Sequence, residues 1–232
     1  MTSRKVIVAL DVPDRSRALA LVEAIGPACD TYKVGLELFA AAGPGIVGEL
    51  RERGTRVFLD LKLHDIPNQV AGAVARAGEI GAAYLTVHSL GGREMLRAAA
   101  QAAPPGLALL AVTVLTSLDS RALGELFGRD VDDVATEAGH LALIATEEGA
   151  QGVVCSAAEA GRIRQSVGPG PLVVTPGVRP TGSPLHDQRR VATAADAFAA
   201  GATHIVVGRP VTGSRDPGEA YARIAAEADA RS

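Results

Sequence analysis

Short runs of apolar and β-branched residues alternate with helix-forming segments along this chain of 232 residues. The helix-forming segments are rich in Ala, Leu and Glu, and four clear examples are 14–25, 66–80, 131–149 and 189–200. The apolar runs predict eight strands, at residues 5–11, 31–37, 56–63, 84–89, 107–116, 152–156, 172–178 and 203–210. Strands that alternate with helices in this way are parallel and are joined by right-handed crossovers.

The number of these units predicts one α/β domain over residues 1–232, a single (β/α)8 TIM barrel, which typically has about 250 residues. A doubly wound open sheet is the alternative, but no GxGxxG motif follows the first strand. Glycine ends a helical segment shortly before four of the strands, at Gly54, Gly81, Gly149 and Gly201. The sequence has no evident linker, low-complexity segment or second domain.

Composition and charge exclude several classes of protein. Apolar residues make up 47% of the chain, and the net charge of −3, without a Lys/Arg run, argues against a nucleic-acid-binding surface. No apolar stretch approaches the roughly 18 residues of a membrane span. Cys29 and Cys155 are too few for a disulfide framework and lack zinc-ligand spacing. We therefore expect a cytoplasmic protein without a metal, membrane or nucleic-acid partner.

The stretch "FLDLKLHD", residues 58–65, places its leucines on one face of a strand and Asp60 and Lys62 on the other. Asp11 ends the first predicted strand and Lys33 lies in the second. In a closed barrel no strand has an exposed edge, and active sites lie at the carboxyl ends of the strands. Because their signs alternate, these four charges can offset one another when partly buried. We interpret them as part of a site, although structural ion-pair networks also exist.

Three further polar features lie at or just beyond the carboxyl ends of predicted strands. Asp65 lies just beyond the third strand, and His88, at the end of the fourth, is interpreted as a residue of the barrel wall. The fifth strand ends in Thr116 and Ser117. Their hydroxyls are equally suited to capping the next segment and to binding a ligand.

The last two strands lead into "TPGVRP" (175–180) and "VVGRP" (206–210). Barrels commonly bind phosphate with the loops after strands seven and eight. Gly208 allows the backbone to approach a ligand closely, and Arg209 supplies a charged fork, although an arginine there also suits a surface salt bridge. We interpret the aperiodic stretch 177–190 as a loop that closes over the ligand. The sequence thus predicts a phosphorylated small molecule as the ligand.

The run "DLKLHDIPNQV" (60–70) resembles the signature of the orotidine 5′-phosphate decarboxylase family. Similarity extends over essentially the whole chain, through "VALD" (8–11), "YKVG" (32–35), "TVLTS" (113–117) and the two phosphate loops. The DxKxxD core alone is shared with sugar-phosphate enzymes of the wider superfamily. The resemblance implies decarboxylation of orotidine 5′-phosphate (OMP) to UMP and CO2 in pyrimidine biosynthesis, without a cofactor.

The resemblance also implies a role for individual residues. Lys62 is the proton donor in a catalytic network with Asp60, Lys33 and Asp65, and Asp65 reaches into the partner subunit of a homodimer. The implied substrate-binding residues are Asp11, Lys33, Asp60, Ile66, Thr116, Ser117, Arg179, Gln188, Gly208 and Arg209. Of these, Thr116 and Ser117 hold the pyrimidine. Gln69 departs from the family, which usually has Thr there, and this puts the substrate contacts of that stretch in doubt.

Two other functions remain open from the sequence. One is a Mg²⁺-dependent sugar-phosphate decarboxylase or aldolase of the same superfamily, which would share the DxKxxD core and require a metal. The other is a barrel that binds a nucleotide or phosphate ligand without catalysis.

Overall fold

The computed structural model describes residues 5–179 and 192–229. Its eight strands are all parallel and form a closed barrel in chain order. They are β1 (Lys5–Ala9), β2 (Thr31–Val34), β3 (Arg56–Leu63), β4 (Tyr84–His88), β5 (Ala108–Val112), β6 (Gly152–Val154), β7 (Leu172–Pro176) and β8 (His204–Val207). The barrel closes where β1 pairs with β8, from Lys5 opposite His204 to Val8 opposite Val207. The predicted TIM barrel is therefore confirmed, and the open-sheet alternative is wrong.

The helices form a layer around the barrel. They are α1 (Arg15–Ile25), α2 (Leu36–Ala42), α3 (Gly45–Glu52), α4 (Pro67–Glu79), α5 (Gly92–Ala102), α6 (Ser120–Phe127), α7 (Val134–Glu147), α8 (Ala157–Val167), α9 (Ala194–Ala199), α10 (Arg209–Thr212) and α11 (Pro217–Asp229), with single 3₁₀ turns at Gly26–Ala28 and Ser89–Gly91. None of the helices in the described part of the chain has both the length and the apolar character needed to cross a lipid bilayer.

Helix ends follow the signals in the sequence. The Asp14 carboxylate accepts the Arg17 N–H at 2.8 Å and caps α1, while Asp216 accepts the Glu219 N–H at 2.9 Å at the start of α11. The four glycines predicted before strands all have positive φ, 77°, 87°, 101° and 108° in chain order, a conformation that other residues adopt only with strain.

The apolar core has two layers, one between strands and helices and one inside the barrel. The inner layer consists of side chains from alternate strand positions, Ile7, Ala9, Phe58, Tyr84, Leu110, Val174 and Val206. Phe58 and Tyr84 meet edge to face, with ring centroids 6.0 Å apart. Because these side chains fill the barrel interior, a ligand has access only at its mouth.

Most of the predicted strands are too long at their carboxyl ends. β1 ends at Ala9 rather than at residue 11, β5 ends at Val112 rather than at 116, and β2 ends at Val34, after which the chain turns into α2. The fifth strand illustrates the reason: Val114 beyond its end is still 4% exposed, so it is as apolar and buried as a strand residue although it belongs to a loop. Because the loops over the barrel mouth are also apolar, the apolar pattern in the sequence continues beyond the point where each strand ends.

The predicted helices are close to the observed ones, with small shifts at their ends. The segment 131–149 begins three residues later, because the Asp133 carboxylate accepts the N–H groups of Ala135 and Thr136 and caps α7 there. The segment 189–200 is helical from Ala194, and its first three residues lie outside the described part of the chain.

Candidate active site at the carboxyl ends of the strands

A cavity of about 540 Å³ opens at the carboxyl ends of the strands. Its lining includes Asp11, Lys33, Asp60 and Lys62 from the first three strands and the loops behind them. Thr116, Arg179, Gly208 and Arg209 line it from the loops after β5, β7 and β8. The structure thus brings eight of the predicted site residues around one space of a size typical for small-molecule ligands.

Four charged side chains form an alternating chain across this cavity. Lys33 Nζ lies 2.9 Å from Asp11 Oδ1 and 3.4 Å from Asp60 Oδ2. Lys62 Nζ lies 2.9 Å from Asp60 Oδ1. Asp60 is therefore shared by two ammonium groups, and Lys33 by two carboxylates. Because Lys33 and Asp60 each contact charges of opposite sign, these contacts offset the electrostatic cost of burying the two groups.

Burial and neighbouring charges shift the pKa values of Lys33 and Asp60 in opposite directions. Burial alone lowers the pKa of the Lys33 ammonium, but the Asp60 and Asp11 carboxylates outweigh it and raise the pKa above its ordinary value. Burial alone raises the pKa of Asp60, but the ammonium groups of Lys33 and Lys62 hold it below the usual range. The Asp60 side chain is 13% exposed and that of Lys62 is 32% exposed, so the lysine is the more accessible of this pair.

Lys62 occupies an irregular point of β3. Leu59 pairs with Leu85 and Leu63 pairs with Val87, so β3 advances four residues while β4 advances two. Inside this bulge Lys62 has a φ of 50°, the left-handed conformation that non-glycine residues rarely adopt. Its N–H donates to the Thr86 hydroxyl at 2.8 Å instead of to a backbone carbonyl of the next strand. The bulge directs the Lys62 side chain towards Asp60 and the cavity.

Gly35 lines the cavity immediately after β2. A Cβ atom built on it would lie 3.1 Å from Asp11 Oδ1 and 3.2 Å from Lys33 Nζ. A side chain at this position would therefore press on the ion pair, so glycine leaves room for the contact between Asp11 and Lys33.

A family model described as "Orotidine 5'-phosphate decarboxylase / HUMPS family" matches residues 4–224. The chain belongs to this family. It is 51% identical to orotidine 5'-phosphate decarboxylase from Anaeromyxobacter dehalogenans over 224 residues, which cover 97% of this chain and 98% of the relative. The protein of the same name from Moorella thermoacetica is 48% identical over 96% of this chain and 91% of its own length.

Solved structures of the family have the same architecture. The crystal structure of orotidine 5'-phosphate decarboxylase from Lactobacillus acidophilus is similar, with a TM-score of 0.87 and 36% identity, over 98% of this chain and all of the other. The enzyme of that name from Pyrococcus horikoshii gives a TM-score of 0.78 at 26% identity over 96% of this chain and 98% of the other. The barrel is thus the framework that this chain has in common with these two structures.

Three residues that the family resemblance selects lie outside the cavity lining of the described residues. Asp65 and Ser117 are exposed, and the Ile66 side chain is 64% exposed. The Asp65 carboxylate accepts the N–H of Ile66 at 2.6 Å, a local contact at the start of α4. Gln69 is likewise exposed, in the first turn of that helix. In the single chain these side chains are therefore accessible to solvent.

Other predictions concern the barrel wall and a loop. His88 is buried, accepts the Leu90 N–H on Nδ1 at 3.3 Å and stacks on His64, in keeping with its interpretation as a wall residue. Burial, and to a smaller extent His64 and Lys62, lower the pKa of His88. Gln188 and the loop 177–190, from residue 180 onwards, lie outside the described part of the chain.

The sequence predictions did not include Thr86. It is fully buried and contacts both the Lys62 backbone and the Asp60 carboxylate. The sequence indicates its position only weakly. In "YLTVH" (84–88), the alternation of side chains along a strand places Thr86 on the same face as Tyr84 and His88, towards the barrel interior.

Proposed function

We propose that this chain is an orotidine 5′-phosphate decarboxylase, which converts OMP to UMP and CO2 in pyrimidine biosynthesis. The observation that carries the proposal is the alternating charge array, in which Asp60 binds both Lys33 and Lys62 at the mouth of the barrel. Relatives of this name that match nearly the whole chain support it.

The proposed chemistry centres on Lys62. When the bond between C6 of the pyrimidine and the carboxylate breaks, its electron pair stays on C6 and CO2 departs. The Lys62 ammonium stabilises this negative charge as it develops and then transfers one proton from Nζ to C6. Lys62 regains a proton from solvent after UMP leaves. The Asp60 carboxylate holds the ammonium in place at 2.9 Å and repels the carboxylate of the substrate.

The rest of the substrate extends between the charge array and the last two strands. Asp11 and Lys33 are the proposed partners of the ribose, and Thr116 and Ser117 those of the pyrimidine. Gly208 and Arg209 stand after β8, where TIM barrels bind phosphate beside a short extra helix, here α10. Arg179, which is 4% exposed and lines the cavity, and Gln188 complete the proposed phosphate site.

Phosphate binding is proposed to contribute to the rate as well as to affinity. The phosphate is remote from C6, so its binding energy can be used to exclude water and to hold C6 against Lys62. Slow uncatalysed reactions demand large accelerations, up to about 10¹⁷-fold or roughly 23 kcal/mol in barrier. No cofactor is required in this scheme, because an ammonium group supplies both the positive charge and the proton.

A direct absorbance assay tests the function. Purified protein is mixed with OMP in the presence of EDTA, and the loss of the absorbance of the orotate ring is followed to completion. We expect full conversion to UMP at a rate that neither EDTA nor added Mg²⁺ changes. Loss of activity in EDTA and recovery with Mg²⁺ would instead support the sugar-phosphate enzyme. Saturable UMP binding without any OMP turnover would support a barrel that only binds its ligand.

We further propose that the site is completed by a second copy of the chain. Four large apolar side chains are exposed after four neighbouring strands, β2 to β5, namely Leu36, Ile66, Leu90 and Leu115, with exposed fractions of 60%, 64%, 43% and 37%. This sector, the set of loops after β2 to β5, exposes apolar side chains of the kind that protein interfaces cover. Asp65 lies within the same sector, so a partner that covers it would bring Asp65 close to a second active site.

Complementation between two inactive variants tests the shared site. D65N and K62A chains are mixed, allowed to exchange subunits, and assayed for OMP turnover. Each mixed dimer has one site with both Lys62 and Asp65 intact, so random exchange restores about a quarter of the wild-type activity. Mixing K62A with the K62A/D65N double variant is the control and restores none. Verified mixed dimers without recovered activity would contradict a contribution of Asp65 across the interface.

The proposed location is the cytoplasm. Cys29 and Cys155 are both buried, and cytoplasmic proteins keep such thiols reduced.

A further inference from the structure

Thr86 lies at the centre of β4 with its side chain towards the barrel interior. Its neighbours Leu85 and Val87 belong to the outer core against the helices, whereas Tyr84, two residues before it, belongs to the inner core. Thr86 has no exposed surface, and it is absent from the residues that line the cavity. It therefore lies just beneath the charge array and has no direct access to a ligand.

The Thr86 hydroxyl joins two parts of the site. Its oxygen accepts the backbone N–H of Lys62 at 2.8 Å, and its own proton is donated to Asp60 Oδ1 at 3.0 Å. The same Asp60 oxygen accepts the Lys62 ammonium at 2.9 Å. A hydroxyl has one proton and two lone pairs, so both bonds can form at once. One side chain thus fixes the Lys62 backbone and the carboxylate that holds its ammonium group.

The Lys62 backbone needs such a partner. The bulge between Leu59 and Leu63 removes regular ladder bonds at this point, and a φ of 50° is strained for a residue with a side chain. Strained backbone persists where surrounding contacts hold it. Without the hydroxyl, the Lys62 N–H would lose its acceptor on β4, and relaxation to negative φ would move Nζ away from its present position.

We propose that Thr86 is a positioning residue of the decarboxylase: its hydroxyl holds the left-handed bulge and the Asp60 carboxylate so that the Lys62 ammonium is fixed against C6 of the substrate. The inference rests on the proposed function, in which Lys62 is the proton donor. Because Thr86 touches neither the ribose nor the phosphate side of the cavity, its effect falls on the chemical step and leaves substrate binding nearly unchanged.

Two substitutions of Thr86 separate the effect of its hydroxyl group from the effect of its side-chain shape. T86V keeps the branched side chain and removes both hydrogen bonds, whereas T86S keeps the hydroxyl and loses a methyl group. A displacement of about 1 Å at a reacting group can reduce rates about 100-fold. We therefore expect T86V to lower kcat by roughly 30- to 100-fold, with KM within about threefold of wild type. T86S is expected to retain kcat within about fivefold.

Thr31 provides a matched control at the opposite end of the barrel. It is 2% exposed, and its hydroxyl donates to the Asp30 carboxylate at 2.7 Å. T31V therefore removes another bond from a buried threonine hydroxyl to a carboxylate, and Thr31 is not among the residues that line the cavity. We expect both T86V and T31V to lower the thermal midpoint, and we expect T31V to leave kcat and KM unchanged.

The pH profile gives a second readout that a purely structural role would not move. The bond from Thr86 is one of the contacts that lower the pKa of Asp60, so its loss raises that pKa. The acid limb of kcat/KM is expected to shift to higher pH in T86V and to stay in place in T31V and T86S.

Each outcome decides the inference. A kcat for T86V within twofold of wild type, or equal losses in T86V and T86S, would overturn it and leave the decarboxylase itself established. A wild-type chain that does not decarboxylate OMP would overturn the proposed function and the inference together. Rates are normalised to folded protein by circular dichroism and UMP binding. If T86V does not fold, T86C takes its place, since a thiol is a weaker hydrogen-bonding group of similar volume.

Discussion

Replacing Lys62 with alanine is expected to lower kcat by roughly 10⁴- to 10⁶-fold, the combined loss of a proton donor and of a charge that stabilises the carbanion. Lys62 is 32% exposed, so its removal leaves no large cavity, and Lys33 still pairs with Asp60 at 3.4 Å. The K62A variant should therefore fold and bind UMP. Single-turnover decomposition of OMP and a calorimetric titration with UMP measure the two effects separately.

K62R distinguishes the proton from the charge. The chain contains three lysines and twenty arginines, yet lysine occupies both cationic positions of the array. An arginine keeps a positive charge beside Asp60 but gives up no proton near neutral pH. We expect the kcat of K62R to remain at least about 10²-fold below that of wild type, which is a smaller loss than in K62A. Turnover in K62A close to wild type would rule out Lys62 as the proton donor.

Replacing Asp60 with asparagine is expected to reduce both stability and activity. Asp60 is 13% exposed and pairs with Lys33, whose side chain is 9% exposed, and with Lys62. Removing one partner from a buried pair costs about 3 kcal/mol or more, which for a chain of this size lowers the thermal midpoint by about 6–12 °C. Because the Lys62 ammonium also loses its fixed partner, kcat should fall by at least about 100-fold. Urea denaturation and OMP turnover measure the two losses.

D11N is the matched control for stability. Asp11 binds the same Lys33 at 2.9 Å, but its side chain is 58% exposed, so its pair is screened by water. The expected change in the free energy of unfolding is below about 1 kcal/mol. If D60N were as stable as D11N, Lys33 would not depend on Asp60 for its charge.

The stability difference between wild type and D60N should depend on pH. The pKa of Asp60 is lowered in the folded chain, so its contribution is complete above the unfolded value of about 3.9 and is lost as the pH falls through the lower folded value. The pKa of Lys33 is raised, so its contribution is complete below about 10.4 and is lost as the pH rises through the folded value. We expect a plateau between about pH 4 and 10 with decline on both sides. A difference that remains constant at acid pH would contradict the pairing.

Several features of the site were predictable from local sequence. The alternation in "FLDLKLHD" places the leucines and the charges of β3 on opposite faces because side chains of a strand alternate, and this holds whatever the strand packs against. Eight β/α units of the right length leave few topologies other than the closed barrel. The structure brings Asp11, Lys33, Asp60 and Lys62 together as that fold predicts.

Other features depend on contacts between distant segments. The end of β5 at Val112 is set by where its neighbours stop pairing, because Val114 beyond it is just as apolar. The exposure of Asp65 and Ile66 follows from their place on the rim after β3, which the spacing in "DLKLHDIPN" does not reveal. Such features are absent from any short window of sequence.

The sequence by itself determined the fold class, the inward face of charges and the glycines that end the helices, because each of these depends on periodicity or on backbone conformations that few residues adopt. Only the tertiary structure decided the pairing distances of the array, the bulge that gives Lys62 its φ of 50° and the contact of Thr86 with both Lys62 and Asp60. These arise where β3 and β4 lose their common register, and register is a property of two strands together.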